Sequence, residues 1–464
     1  MMINPSIFRE YDIRGIADED LSEAFAEQLG LAYATELKHL KGNKALTVSV
    51  GRDCRLTGDR YATALREGLL KGGLNVVDIG VCPTPLTYFS MFHLDLDGAI
   101  MVTGSHNPAE YNGFKIGRDR TTIHGEAIQK LRSLMEKDLP LAPTRGEFSQ
   151  YEIIPPYLKE IASQIKPSRR LKVILDAGNG TAATVAPPLF EMLGADVIPL
   201  YCTLDGNFPN HHPDPTVVSN LKDLIQAVKD HKADIGLAFD GDSDRIGLVD
   251  ETGRVVFGDE ILVVLARAVL KQNPGATIIS EVKSSHRLYQ DIEKHGGKGI
   301  MWKTGHSLIK SKMKETGALL AGEMSGHIFF ADRYYGYDDA IYAAARLYEI
   351  VSQSELPMSS FLSDLPKSYS TPEIRIDCVE ELKFPLVEWV RSAFEKEHQV
   401  NSIDGVRVDF NDGWGLLRAS NTQPVLVLRF EATTESRMFE IQNQFEAQLR
   451  KAQSALGHPE LRMD

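Results

Sequence analysis

The chain has 464 residues, with 51 basic against 64 acidic side chains and a formal net charge of −13 at neutral pH. That length holds about three domains of ordinary size, because single cores stop growing near ~250–300 residues. An apolar share of 43% beside 25% charged residues excludes a largely disordered chain, and the acid excess excludes a general nucleic-acid binder with its broad basic face. Local clusters of Arg and Lys can still receive an anionic substrate.

The opening residues, MMINPSIFREYDIRG, carry neither the basic nor the apolar region of a signal peptide. No apolar run approaches the ~20 residues of a membrane span. From there to residue 365, short β-branched runs alternate with helical patterns, the mark of parallel α/β architecture. A helix is predicted over residues 21–38, a strand at 46–50, a helix at 61–71 and a second strand at 76–79. A third strand then runs into the polar loop GAIMVTGSHNP, residues 98–108. The succession returns with strands at 173–175 and 197–200, a helix at 216–229 and the loop DIGLAFDGDSDR, residues 234–245. It returns again with a helix at 260–271, strands at 277–280 and 299–302, and the loop GALLAGEMSGH, residues 317–327. We read three divergent copies of one α/β unit. Ligands of open parallel sheets sit beyond the C-terminal strand ends, so three such loops can face one cleft.

The tail differs. LPKSYSTPEI, residues 365–374, reads as a linker. Strands then surround a helix near 386–398, and an amphipathic helix is predicted at about 435–455, an α+β pattern. Cys54, Cys82, Cys202 and Cys378 are far apart and form no CxxC pair, which fits a reduced, cytoplasmic setting.

Asp240, Asp242 and Asp244 follow the apolar run 235–239 at alternate positions, which places their carboxylates on one side of an extended backbone. Three such oxygens suit a hard cation, and Mg²⁺ prefers a few carboxylates completed by water or phosphate. A calcium EF-hand is the rival, since Glu251 stands twelfth from Asp240. It fails because Arg245 occupies the sixth position, where that loop needs Gly, and because a strand precedes it.

Thr103-Gly104-Ser105-His106-Asn107-Pro108 puts a serine on a tight loop at a strand end. Gly104 frees the backbone to approach a ligand and Pro108 stiffens the exit. A serine hydroxyl needs a base or a metal to become a nucleophile; His106, Lys115 and the Asp trio are at hand. The loop is not a Gly-x-Ser-x-Gly elbow, which disfavours an acyl-transfer hydrolase. Gly322–His327 sets acceptors and donors between two glycines, as a polyol requires, and His327 adds an acid–base group. Arg418, Ser420, Asn421 and Thr422 offer a guanidinium fork, hydroxyls and backbone N–H groups, a phosphate cradle. Gly178-Asn-Gly180-Thr-Ala-Ala183 imitates a dinucleotide fingerprint, but Asp196, its expected acidic partner, precedes its strand and stands at the wrong end to reach a ribose.

Taken in order, FREYDIRG (residues 8–15), TGSHNP, DGDSDR, KTGHSLIK (residues 303–310), GEMSGH and RASNTQP (residues 418–424) resemble the α-D-phosphohexomutase family. Within it they resemble the bacterial phosphomannomutase/phosphoglucomutase type, and the likeness covers essentially the whole chain. It implies three tandem related α/β domains with mixed sheets plus a C-terminal α+β domain like the TATA-binding protein, around a central cleft. The implied divisions are 1–151 with a phosphoserine loop, 152–253 with a metal loop, 254–365 with a sugar loop and 366–464 with a phosphate site.

The resemblance implies an isomerase that moves a phosphoryl group reversibly between the 1- and 6-positions of mannose or glucose phosphates. Ser105 matches the phosphoryl carrier, and Asp240, Asp242 and Asp244 match the Mg²⁺ ligands, completed by the serine's oxygen. Arg14 and Lys115 match cations beside the transferring group; Lys115 and His327 are both candidates to shuttle the proton. Glu323, Ser325 and His327 match the sugar-hydroxyl loop, and Arg418, Ser420, Asn421 and Thr422 the site of the non-transferred phosphate. Tyr11, Arg245, Lys283 and His306 match further substrate contacts. Hexose 1,6-bisphosphate is the implied intermediate and activator, and a cytoplasmic monomer without nucleic-acid or membrane partners is expected. The rival readings are a phosphoglucosamine mutase, a non-catalytic sugar-phosphate binder, and a metal-dependent phosphatase with Asp240 as nucleophile. The last is disfavoured because Asp244 stands where such enzymes carry Thr or Val.

Overall fold

A computed structural model describes residues 3–42, 44–421 and 423–457. Its first three sheets repeat one arrangement. In the first, the parallel strands Asn75–Val81, Thr47–Arg52 and Gly98–Val102 lie side by side and Tyr111–Arg118 returns antiparallel. Asp196–Leu200, Lys172–Asp176, Ile235–Phe239 and the antiparallel Ile246–Asp250 occupy the same places in the second. In the third they are Lys298–Trp302, Thr277–Glu281, Leu320–Gly322 and Ile328–Phe330. The common order bears out the reading of three related copies.

The third strand of each copy is buried along its whole length. That explains its unbroken apolar sequence, since helices cover both faces of such a sheet. Because the next strand runs back antiparallel, the intervening loops (103–110, 240–245 and 323–327) all leave from the same end of their sheets. One apolar cluster extends from Ile79 through Phe239 to Leu362, so the three units share a core.

Helix ends follow local chemistry. Ser22 Oγ accepts the Phe25 N–H, so the first long helix is Glu23–Lys41 rather than 21–38. The helix predicted from 216 begins later. Asp214 Oδ1 accepts both the N–H and the hydroxyl of Thr216 and holds a turn there. A 3-10 segment Val218–Leu221 follows, and the α-helix is Lys222–His231. The stretch read as a linker contains Tyr369–Ser370 and leads into Ile374–Asp377, both paired with Val425–Ala432. Tyr369 and Ser370 are exposed on both faces, so no apolar alternation marked them as strand. The helix expected near 386–398 is Glu380–Phe394, with Pro385 inside it.

The fourth unit is an antiparallel sheet of Val406–Phe410, Gly413–Ala419 and Val425–Ala432 with those edge strands. Helices Glu380–Phe394 and Glu435–Leu456 pack on one face through Leu386, Val390, Phe445 and Leu449. The other face grips the loop after Thr277–Glu281. Arg407, fully buried, donates to the carbonyls of Val282 and Ser284 and lies 3.7 Å from the Trp414 ring centre. Arg429 donates to the Lys283 carbonyl at 2.7 Å, and Ser285 Oγ to Glu431 at 2.7 Å. Arg407→Ala leaves two buried carbonyls unpaired and is expected to cost about 2–4 kcal/mol. A thermal midpoint equal to that of the parent chain would show that this arginine does not join the two units.

Candidate active site

The serine loop begins where Gly98–Val102 ends. Ser105 is buried and its backbone is left-handed, with φ of 51°. Arg55 holds that shape. Its guanidinium donates to the carbonyls of Ser105 at 2.8 Å, Asn107 at 2.5 Å and Tyr111 at 2.9 Å, and to that of Pro108. Asp53 orients Arg55 through its Nε and also accepts the Thr103 hydroxyl at 2.7 Å and the Gly104 N–H at 3.2 Å. A Cβ on Gly104 would lie 2.5 Å from the guanidinium carbon, so only glycine fits there. Ser105 Oγ donates to Asp240 Oδ2 at 3.1 Å and lies 3.2 Å from His106 Nδ1. Arg14 reaches the same loop, donating to Asn107 Oδ1 at 2.9 Å.

The aspartate loop folds back on itself. Asp240 Oδ1 accepts the N–H groups of Asp244 at 3.0 Å and Arg245 at 3.1 Å. Ser243, left without a role by the sequence, turns the backbone at φ 63° and pairs its hydroxyl with Thr181 Oγ1 at 3.0 Å. The dinucleotide imitation resolves as packing: a Cβ on Gly180 would sit 2.7 Å from the Gly241 carbonyl oxygen. Asp196 starts its strand, as the sequence reading required.

Asp240, Asp242 and Asp244 are fully buried, with one oxygen of each lying within 4.8 Å of the others. Lys115 Nζ donates to Asp242 Oδ2 at 2.6 Å and also to Asp244 Oδ2. Burial, then repulsion from Asp242 and Asp244, pushes the Asp240 carboxyl well above its ordinary range. Burial acts the same way on Asp242, but Lys115 outweighs it and holds that carboxyl below the usual range. Burial would lower Lys115; the surrounding aspartates override it and keep the ammonium charged. Three carboxylates against the Lys115 ammonium and the nearby Arg245 guanidinium leave an excess of negative charge. Asp242 Oδ1 and Asp244 Oδ1 are buried without a hydrogen-bond partner among the described residues. Hard, buried, unpartnered oxygens with surplus charge fit a divalent cation such as Mg²⁺.

The third loop meets the second at His327. Its Nε2 accepts Arg245 Nε–H at 3.0 Å, and its Nδ1 lies 3.1 Å from Asp338 Oδ2 and 3.6 Å from Asp244 Oδ1. Lys310 Nζ donates to Asp338 Oδ1 at 2.7 Å. His306 stacks on His327 with centroids 5.4 Å apart, and Tyr11 meets His306 edge-on at 5.7 Å. Glu323 accepts the Gly305 N–H at 2.6 Å, and its carboxyl is raised by burial. Ser325 lies half-buried in the turn between them.

Glu281 ties three loops together. It accepts Thr304 Oγ1 at 2.8 Å, Lys283 N–H at 3.0 Å and Met324 N–H at 3.2 Å. Lys283 Nζ pairs with Glu373 at 2.9 Å. Asp404 Oδ2 accepts both the Thr304 N–H at 2.9 Å and Arg418 Nε–H at 3.1 Å. Tyr11 completes the junction, donating to the Thr304 carbonyl at 2.7 Å and accepting Asn421 Nδ2–H at 3.3 Å. The Ser420 carbonyl accepts Lys383 Nζ at 2.6 Å. Thr422 lies outside the described residues.

Hydrogen bonds, ion pairs and ring contacts thus link described candidates from seven stretches of chain: 11–14, 105–115, 240–245, 283, 306, 323–327 and 418–421. Sequence reasoning missed Asp53, Arg55, Glu281, Asp338 and Asp404. Asp53-Cys-Arg55 was detectable, because it follows a buried strand at the same sheet end as the other loops. Asp338 was masked by its neighbour: Asp339 caps the helix Ala340–Ser352 by accepting the Tyr342 N–H, which accounts for an Asp-Asp pair in the usual way.

Family models of phosphoglucomutase/phosphomannomutase match the chain in order: alpha/beta/alpha domain I on residues 5–140, domain II on 155–253, domain III on 257–369 and the C-terminal domain on 373–448. The chain belongs to this family. A phosphomannomutase/phosphoglucomutase of Pseudomonas aeruginosa is 50% identical over 98% of this chain and 97% of its own. A phosphoglucomutase of Neisseria meningitidis is 45% identical over 95% of this chain and 96% of its own. The crystal structure of a phosphoglucomutase/phosphomannomutase family protein from Burkholderia thailandensis superposes with a TM-score of 0.91 at 42% identity, covering 97% of this chain and 98% of that one.

In this phosphoglucomutase/phosphomannomutase-family chain, burial, then the charge of Lys310, holds His306 well below the ordinary histidine range. Folded His306 stays neutral while the unfolded chain takes up a proton near pH ~6.5. Its contribution to stability is therefore complete above that pH and is lost as pH falls, by up to about 1.4 kcal/mol per pH unit. Thermal midpoints should drop between about pH 7 and pH 5, and His306→Asn should flatten that drop; an unaltered slope would rule out the assignment.

Proposed function

We propose that the chain is a hexose-phosphate mutase that moves a phosphoryl group between O1 and O6 of mannose and glucose phosphates, with Ser105 as carrier. The observation that carries this reading is Ser105 Oγ, 3.1 Å from Asp240 inside a buried trio of carboxylates balanced in part by Lys115. The relatives named phosphomannomutase/phosphoglucomutase support the substrate pair. Asp240, Asp242, Asp244 and an oxygen on Ser105 would hold Mg²⁺, which supplies Lewis-acid stabilisation of the serine oxygen as phosphate leaves.

Phosphorylated Ser105 gives its phosphoryl to the free sugar hydroxyl. The Ser O–P bond breaks, a sugar O–P bond forms, and the hydroxyl proton leaves. The resulting hexose 1,6-bisphosphate turns end over end, and its other phosphate returns to Ser105. Charge spread over the transferring oxygens is the main cost, met by the cations Arg14, Lys115 and Arg245. The proton needs an acceptor with a lone pair. Lys115, held charged between two aspartates, offers none, whereas His327, with Asp338 beside Nδ1, can take the proton at Nε2 once Arg245 turns from that nitrogen toward the transferring phosphoryl group. His327 is therefore our choice of shuttle.

Arg418, Ser420, Asn421 and Thr422 hold the phosphate that stays, in either orientation. Glu323 and Ser325 take the sugar hydroxyls, with Tyr11, Lys283 and His306 around them. We place the domain divisions after residues 151, 253 and 365, so that the loops can part slightly for the turn. The four cysteines are unpaired, which supports a reducing, cytoplasmic setting, and with every site residue on one chain a monomer suffices.

Incubated with glucose 1,6-bisphosphate, the parent chain should become one phosphoryl mass heavier at Ser105, in a linkage that survives mild base as an acyl phosphate does not. Ser105→Ala should lose both the label and more than about 10³-fold in turnover; retained turnover would dismiss Ser105 as carrier. Arg418→Ala should raise KM for both positional isomers by about 10–100-fold with a smaller change in kcat, and a rise for one isomer only would move the fixed phosphate elsewhere. Arg55→Lys keeps a cation but cannot reach four carbonyls, so turnover should fall about 100-fold with helix content intact. Undiminished turnover would show that the loop holds itself.

A further inference from the structure

A cavity of about 530 Å³ lies between the first and third units, and it faces away from the chemistry. Its wall at Gly317–Leu319 precedes the strand Leu320–Gly322, whose other end carries the Glu323–His327 loop. Asp119–Thr122 forms another wall and follows Tyr111–Arg118, whose opposite end adjoins the serine loop. The cavity and the candidate active site are thus at opposite ends of the same strands. They share one residue, Lys310, which lies over the Tyr88 ring at 4.3 Å and donates to Asp338 beside His327.

The lining combines aromatic faces and positive charge. Phe92 and Tyr335 have ring centroids 4.6 Å apart, and Tyr337 lies 5.9 Å from Phe92. Tyr335 is 38% exposed, so its ring is open to a stacking partner. Arg120 packs over Phe92 at 5.4 Å and is paired with Asp95, whose exposed carboxylate can yield the guanidinium to a stronger anion. Lys314 has no acidic partner among the described residues, while Asp119, the acid in the wall, is already paired with Lys41 at 2.8 Å. An exposed aromatic ring binds a flat heterocycle, a cluster of cations binds an anion, and the volume is that of a small-molecule site.

We propose that this cavity is a second, inhibitory site for a nucleoside diphosphate, its base against the exposed ring of Tyr335 and its phosphates at Lys314, Lys310 and Arg120. Phosphate at Lys310 competes with Asp338 for the same ammonium and so disturbs the carboxylate that faces His327. The site is independent of the proposed mutase reaction, because binding can be read without turnover.

The test is calorimetric titration of the full chain with ADP, GDP and UDP, with and without saturating glucose 1,6-bisphosphate to fill the active site. At least one nucleotide should bind with Kd below about 1 mM, undisplaced by the bisphosphate. Adenosine and pyrophosphate, each half of the ligand, should bind at least about 10-fold more weakly. Tyr335→Ala and Lys314→Glu should each weaken nucleotide binding by about 10-fold while leaving nucleotide-free turnover unchanged. In the parent chain the saturating nucleotide should lower kcat without raising KM for hexose phosphate. Absence of heat up to about 5 mM, equal affinity in both variants, displacement by the bisphosphate, or an unchanged kcat would each overturn the proposal.

Discussion

Everything in the site depends on a surplus of buried negative charge. Asp240, Asp242 and Asp244 are out of contact with water, and Lys115 pairs with two of them. Burying charges is tolerated only where pairing is close. Here the pairing is incomplete, and Asp240 responds by resisting ionisation. The imbalance is useful because a site short of positive charge draws in a cation, and a cation beside Ser105 is what phosphoryl transfer needs.

The way three units are repeated explains how residues so far apart come together. Each copy delivers one polar loop from the same sheet end, and short backbone contacts do the joining. Gly241 comes so near the serine loop that a Cβ would stand 2.6 Å from the Ser105 carbonyl oxygen. The fourth unit joins differently, through arginines on main-chain carbonyls and an aspartate shared between Arg418 and Thr304. That contact combines these polar links with a small apolar cluster of Val282, Trp414 and Leu416, separate from the core common to the first three.

Much of this was legible in the sequence, and the exceptions have physical reasons. Buried strands such as Ile235–Phe239 announce themselves as apolar runs, and the loops after them as dense polar motifs. Exposed edge strands such as Tyr369–Ser370 carry no such signal. Nor do residues whose work is to bind backbone: Arg55 and Asp53 recognise carbonyl and N–H groups, which every residue has, so no partner motif marks them. Glu281 and Asp404 were invisible for the same reason. Lys310 lay within a recognised motif, yet its ion pair with Asp338 depends on a contact 28 residues away along the chain.

The Arg55 clamp has one more consequence. All four carbonyls it gathers belong to residues 105 to 111, and the carboxylate that steadies it comes from the same unit. Nothing in that scaffold touches the Ser105 hydroxyl oxygen. A cargo carried there can arrive and depart while its cradle keeps one shape, sparing each cycle the cost of rebuilding the loop.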